Sequence, residues 1–79
     1  MSNYILGVYA NHESRRVHFT ARPIDHAHLR AMEEEATAAG FEYSILANKL
    51  SKQQADSFKA IQIAAYENAG YTNIPFSAM

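Results

Sequence analysis

The sequence has no cysteine, which excludes both a disulfide framework and a zinc site built on cysteine. Seven basic and eight acidic residues give a formal net charge of −1, without the basic excess typical of a dedicated nucleic-acid-binding protein. No apolar run approaches the roughly 20 residues that a membrane-spanning helix needs. The first residues also lack the basic start of a signal peptide. These two features predict a protein that does not enter the membrane. Because an absence of cysteine fits a reducing compartment, we expect it to be cytoplasmic.

A length of 79 residues predicts a single domain over residues 1–79. A domain this small buries only about 60% of the surface of its unfolded chain, so its stability margin is narrow. Residues 75–79 are predicted to form a flexible tail unless they dock on the body or on a partner. The sequence contains neither a glycine-rich phosphate loop nor a Ser-His-Asp order, and we predict no cofactor.

Two segments near the start predict a pair of strands. Residues 4–10 are rich in β-branched and aromatic side chains on both sides, as expected for a central strand. Gly7 inside this segment indicates the close approach of another group. Residues 15–21 alternate, with Val17 on one side and His18 on the other. The short polar turn between the two segments predicts an antiparallel hairpin.

A helix and a third strand are predicted next. Asp25 is a suitable N-cap, and the helix is expected to run to about Ala39, where Gly40 ends it. Ala36 is placed on its inner side. Residues 41–47 alternate between apolar and polar side chains, which predicts a strand.

The last helix is the most clearly marked segment of the chain. Ser51, with Gln54 three residues later, predicts a capping box at its start. Phe58 and Ile61 lie on an apolar stripe and are predicted to be buried, each contributing about 1.5–3 kcal/mol. Gly70 is predicted to end the helix in the left-handed conformation.

These elements follow one another in the order β-β-α-β-α, which predicts an α+β domain with a small three-stranded, mostly antiparallel sheet covered by two helices. Gly7, Val8 and Tyr9 in the first strand resemble the GIY motif, and the segment 51–73 is similar to the last core helix of GIY-YIG nucleases with its Gly-Tyr-Asn turn. Over residues 4–73 the chain therefore resembles a degenerate GIY-YIG nuclease domain.

The resemblance implies a set of site positions at which this sequence departs from the family. GIY-YIG nucleases cut phosphodiester bonds with paired tyrosines, an arginine that steadies the phosphate, a glutamate that holds a divalent metal, and an asparagine. The first tyrosine and, displaced by the inserted Thr72, the asparagine are kept here, and the other three positions change. Tyr9 stands at the first tyrosine position, and His18, in the second motif over residues 17–23, stands at the second. The arginine position holds His28, with Arg30 two residues on. The glutamate position holds Lys59, and Asn73 lies one residue beyond the asparagine position.

Lys59 is the departure that decides the chemistry implied by the resemblance. A hard cation such as Mg²⁺ needs oxygen ligands, usually including a carboxylate. An ammonium group can only donate hydrogen bonds, and at about 4 Å it repels another positive charge by several kcal/mol at an effective dielectric near 20. We therefore predict that there is no metal site and that metal-assisted cleavage is lost. The resemblance then leaves as vestigial site residues Tyr9, His18, His28, Arg30, Lys59 and Asn73. Two alternatives stay open for Lys59: it holds a phosphate without cutting it, or it is an exposed lysine on a helix.

Other charged residues allow a binding function. Arg15, Arg16 and Arg22, together with Lys59, are candidates for nucleic-acid or phosphate binding. The alternative is that the arginines keep an edge strand from pairing with other chains. His18 titrates near neutral pH and is either an acid or base or a hydrogen-bonded structural residue.

Three functions follow from the sequence. The leading hypothesis is a non-catalytic binding domain derived from a GIY-YIG scaffold, acting as a small protein-binding inhibitor or regulator of phage or mobile-element type, as monomer or homodimer. The second is a divergent metal-dependent endonuclease that uses Tyr9, His18, Arg30 and a carboxylate such as Glu67. The third is a passive nucleic-acid-binding module.

Overall fold

The computed structural model describes residues 3–23 and 33–78. The elements, in chain order, are β1 (Tyr4–Asn11), β2 (Arg16–Pro23), α1 (helical over residues 33–38), β3 (Glu42–Leu50), α2 (Lys52–Asn68), β4 (Thr72–Asn73) and a short 3₁₀ helix (Phe76–Ala78). The predicted N-cap of the first helix, Asp25, lies outside the described residues. Neither helix, in the part of the chain described, is long and apolar enough to cross a membrane.

The fold is α+β, as predicted, but the sheet is larger than expected. It has four strands in the order β3-β1-β2-β4, with β1 antiparallel to both neighbours and β2 parallel to β4. The prediction of three strands missed β4. Its amides pair with the main chain of β2: Thr72 donates to the Arg15 carbonyl and Ile74 to the Val17 carbonyl, each over 2.8 Å. Two residues are too few to show an alternating pattern, which is why this strand could not be found from the sequence.

Strand β3 also differs from its predicted bounds, 41–47. It begins at Glu42 and continues to Leu50, and its pairing with β1 shifts register twice along the way. Lys49 adopts a left-handed backbone conformation with φ of 54°. These irregularities, which are of the kind that bend strands, lie in the part of β3 that leads into α2.

One side of the sheet, called here the apolar face, packs against α2. Its buried residues are Val8 and Ala10 of β1 with Val17 and Phe19 of β2, contacted by Ile63, Tyr66 and Tyr71. Phe19 and Tyr66 meet edge to face with ring centroids 5.2 Å apart. All residues of β1 from Ile5 to Ala10 are buried, which confirms the prediction of a central strand covered on both sides.

The opposite side, called here the tyrosine face, packs a different set of residues. Tyr9, Ala36 and Phe41 form its buried cluster, with Tyr43 and Ile74 packed against it. Ala36 belongs to α1, which confirms its predicted inward position. Gly40 ends this helix with φ of 88°, as predicted, and Phe41 donates its amide back to the Ala36 carbonyl over 2.8 Å.

The predicted limits of α2 are confirmed by its caps. Ser51 accepts from the Gln54 amide over 3.1 Å, and the Gln54 side chain accepts from the Ser51 amide over 2.9 Å, which completes the capping box. Gly70 has φ of 92°, and Tyr71 donates its amide to the Tyr66 carbonyl over 3.0 Å. This pattern is a Schellman motif, and it turns the chain sharply into β4.

The predicted burial of Phe58 and Ile61 is wrong. These side chains are 44% and 62% exposed, so the burial energy assigned to them is not gained. The inward row of α2 instead passes through Ala55, which is fully buried, and Tyr66, which packs on Phe19. The least exposed residues of the helix lie along this inward side: Ala55, Lys59, Gln62, Ile63 and Tyr66.

Candidate binding cleft

Three aromatic side chains form a row across the tyrosine face. The register pairs Tyr9 of β1 with His18 of β2 on one side and with Tyr43 of β3 on the other. The Tyr9 ring centroid lies 4.6 Å from that of Tyr43 and 6.2 Å from that of His18, almost parallel to the imidazole. Gly7 makes room for Tyr43, since a Cβ at this position would lie 2.7 Å from Tyr43 Cζ. The predicted close approach at Gly7 is thereby confirmed.

Burial raises the pKa of both tyrosines in this row. It raises the pKa of Tyr9 to about 12, with further upward contributions from Tyr43 and the Glu33 carboxylate and an opposing one from Arg22. Burial also raises the pKa of Tyr43; Glu33 adds to the rise and the Thr20 hydroxyl opposes it. Tyr9 has no exposed surface, so neither water nor a ligand reaches its ring directly.

His18 is fixed in place by the chain that follows β4. Its Nδ1 lies 2.8 Å from the Ile74 carbonyl oxygen. A carbonyl can only accept a hydrogen bond, so Nδ1 carries the proton and donates it. Burial lowers the pKa of His18; the bond to Ile74 raises it, and the charges of Lys59 and Arg22 lower it further. The lowered pKa favours the neutral form of the ring, and the bond to Ile74 sets its orientation.

A cleft opens beside His18 at the edge of the sheet. It has a volume of about 300 Å³ and is lined by residues of β2, α2 and the segment that begins in β4. The polar lining comes from His18, Lys59 and Asn73. Phe19, Ile74 and Pro75 supply the apolar wall. The parallel pairing of β4 with β2 closes this cleft, because it carries residues 73–75 alongside β2.

The electrostatic character of the cleft is positive. Lys59 is half-buried on the inward row of α2, and within residues 3–23 and 33–78 no carboxylate lies within ion-pair distance of its amine. The ion pair found in this part of the chain joins Lys52 and Asp56, both exposed, over 4.0 Å. Arg22 adds a second positive charge that acts on His18 and Tyr9.

Several residues predicted from the resemblance meet at this cleft. His18, Lys59 and Asn73 line it together, and Tyr9 lies behind His18 within the sheet. His28 and Arg30 fall outside the described residues. Glu67, the carboxylate considered for an endonuclease, is exposed on α2 and does not line the cleft.

The arginines of the predicted basic set do not share one surface. Arg15 donates from a guanidinium nitrogen to the Ala69 carbonyl over 3.2 Å and lies 5.9 Å from the Tyr71 ring centroid, at the end of α2. Arg16 lies 6.0 Å from the Phe41 ring centroid, on the tyrosine face. Of the four predicted basic residues, Arg22 and Lys59 are the two whose charges lower the pKa of His18.

Sequence reasoning missed two parts of this arrangement. Tyr43 was placed on a strand but not at the site; the signal available was Gly7, whose missing side chain matches a ring on a neighbouring strand. The Ile74 carbonyl, which orients His18, gave no signal, because a backbone acceptor depends on strand pairing and not on residue type.

Searches for related proteins add no further assignment. Comparison of the chain with models of protein families, with curated proteins and with solved structures finds no match. In the described part of the chain, no three His, Asp, Glu or Cys side chains are grouped so that they could hold a metal ion. The GIY-YIG resemblance is therefore still a prediction from the sequence.

Proposed function

We propose that this protein is a non-catalytic binding domain on a GIY-YIG-like scaffold, and that it acts as a small inhibitor or regulator of phage or mobile-element type by binding another protein. The observation that carries the proposal is the position of the Lys59 amine, in one cleft with His18 and Asn73. A scaffold that cut phosphodiesters with a divalent metal would need a carboxylate there.

The burial and the raised pKa of Tyr9 also support a non-catalytic domain. A tyrosine that helps generate a nucleophile near pH 7 must exchange its proton with substrate or water. The pKa of Tyr9 is raised to about 12, and its side chain has no exposed surface. Its contribution is to pack between Tyr43 and His18, which supports the geometry of the cleft.

A protein partner is favoured by the outer side of α2. Phe58 and Ile61, three residues apart and therefore neighbours on the helix surface, expose 44% and 62% of their side chains. Exposed aromatic and aliphatic anchors of this kind are common at the centre of protein interfaces. A net charge of −1 gives a long polyanion little general attraction. The absence of cysteine supports a cytoplasmic site of action.

A cleavage assay tests the non-catalytic part of the proposal. Supercoiled plasmid is incubated with the wild-type protein and with Lys59→Glu, in Mg²⁺ and separately in Mn²⁺. We expect no cleavage by the wild type. Cleavage by the wild type that is abolished by Tyr9→Phe would contradict the proposal and favour the divergent endonuclease.

A capture experiment with matched variants tests the binding part. The protein is immobilised and exposed to a bacterial lysate, and bound proteins are identified by mass spectrometry. We expect a specific partner that Phe58→Asp loses and Ala64→Asp keeps, because Ala64 is an exposed residue on the same helix. If both variants capture the same partner equally well, the surface around Phe58 is not the binding surface. If no specific partner is captured at all, the proposed protein-binding function is contradicted.

A further inference from the structure

The cleft beside His18 contains a cation with no counter-ion in the described structure. Lys59 is half-buried on α2, and no carboxylate among the described residues pairs with it. On the same helix, the exposed Lys52 does have a partner, Asp56. A lysine charge that lines a cleft without a counter-ion is a favourable site for an incoming anion, because opposite charges attract more strongly where water is partly excluded.

The other walls of the cleft suit a small anion attached to carbon. Asn73 brings an amide group, and Arg22 adds positive potential close to His18. Ile74 and Pro75 give an apolar surface next to these polar groups. A volume of about 300 Å³ accepts a carboxylate with a few carbon atoms, which is the size of an acidic side chain or a chain terminus.

We propose that this cleft is an oxyanion-binding site and that its ligand is a carboxylate of the partner protein. The identity of the ligand rests on the proposed function, whereas the anion site itself rests on the geometry of Lys59, Asn73 and His18. A nucleic-acid backbone fits less well, because it needs a line of cations along a groove. Arg15 and Arg16 are engaged elsewhere, with Ala69 and Tyr71 and with Phe41, respectively.

Occupation of the site has a consequence for His18. Among the described residues, the groups that act on this ring include Tyr9 from β1, Lys59 from α2, Arg22 from β2 and the Ile74 carbonyl. The two cations lower the pKa of the imidazole. An anion bound in the cleft beside Lys59 offsets this positive charge, so binding raises the pKa of His18. By linkage, the anion binds more tightly as the pH falls through that pKa.

The test is an NMR titration at constant ionic strength with two probes, sodium acetate and inorganic phosphate. The ring signals of His18 report binding, with an expected dissociation constant on the order of millimolar for such small anions. We expect Lys59→Met to weaken binding at least about tenfold and Lys52→Met to leave it unchanged, although both variants lose one lysine charge from α2. A pKa of His18 that rises with added anion is the second expected result.

Two further variants and two larger ligands complete the test. Lys59→Arg keeps the charge and should retain binding, while unchanged β1 amide shifts show that Lys59→Met is folded. Equal affinity of Lys59→Met and wild type, or no response of His18 to either anion, overturns the site even where the capture experiment succeeds. A glutamate-rich peptide should compete with acetate for the cleft; competition by a single-stranded oligonucleotide and not by the peptide would overturn the assignment of a protein carboxylate.

Discussion

The two faces of the sheet are built from different chemistry. The apolar face packs Val8, Val17 and Phe19 against α2 through aliphatic and aromatic side chains. The tyrosine face places hydroxyls and an imidazole beside the central strand, in Tyr9, Tyr43 and His18. Hydrocarbon contacts stabilise in proportion to the area they bury, whereas polar groups depend on exact geometry and neighbouring charge. We infer that the apolar face mainly supplies stability and the tyrosine face mainly supports the cleft.

The largest effect is expected on the apolar face. Phe19→Ala removes a ring that is 2% exposed and should cost about 3–5 kcal/mol of the free energy of unfolding. Phe58→Ala makes the same chemical change at a residue that is 44% exposed and should cost less than about 1 kcal/mol. Urea denaturation of both variants measures the difference. Equal losses would contradict the assignment of Phe58 to the surface.

The next effect concerns the fit between Gly7 and Tyr43 on the tyrosine face. Gly7→Ala places a Cβ where the Tyr43 ring lies, 2.7 Å from its Cζ, and should cost about 1–3 kcal/mol. In a Tyr43→Ala background the same change should cost clearly less, because the ring is gone. A double-mutant cycle from urea denaturation gives the coupling. An additive cycle would show that the two residues do not interact in this way.

High pH should destabilise the protein through the tyrosine face. The pKa of Tyr9 is raised to about 12 in the folded state from an unfolded value of 10.0. The unfolded chain therefore loses this proton first, and stability falls as the pH rises from about 10 to 12, by up to about 1.4 kcal/mol per pH unit. Unfolding of wild type and Tyr9→Phe across this range isolates the effect. Parallel pH profiles for the two proteins would contradict it.

The smallest effect is expected at mildly acidic pH. The pKa of His18 is lowered in the folded state from 6.5, so the unfolded chain takes up this proton first. Stability that is fully present above pH 6.5 is therefore lost as the pH falls through the folded pKa. His18→Gln should remove this pH-dependent contribution. Lys59→Met should reduce it, because the lysine charge that lowers the pKa of His18 is gone. Thermal unfolding between pH 5 and 8 measures both, and an unchanged profile in His18→Gln would refute it.

Local signals in the sequence predicted much of the fold. Ser51 with Gln54 fixes the start of α2 through contacts within a single turn. Val17 and His18 fall on opposite faces as alternation requires. Gly7 predicted a close neighbour because a strand glycine has few other uses. For the capping box and the alternation, the physical cause lies within a few residues of the pattern that reveals it, whereas the group that approaches Gly7 is Tyr43 on β3.

The parts that the sequence did not predict depend on contacts between distant segments. The predicted and the observed inward rows of α2 both include Ala55. The predicted row continues with Phe58, whereas the observed row continues with Lys59. The choice between them is made by tertiary packing, including the contact of Tyr66 with Phe19, and not by helical period. The cleft likewise depends on β4, whose pairing with β2 brings Asn73 and Ile74 to His18.

The central claim is that a cation stands where a metal-dependent nuclease would hold its ion. Titration with Mn²⁺, followed by paramagnetic broadening of NMR signals, tests it at the cleft itself. We predict no selective broadening at His18 and Asn73 in the wild type, and stronger broadening in Lys59→Glu, where a carboxylate replaces the amine. Selective broadening of both residues in the wild type at low Mn²⁺ concentration would contradict the account.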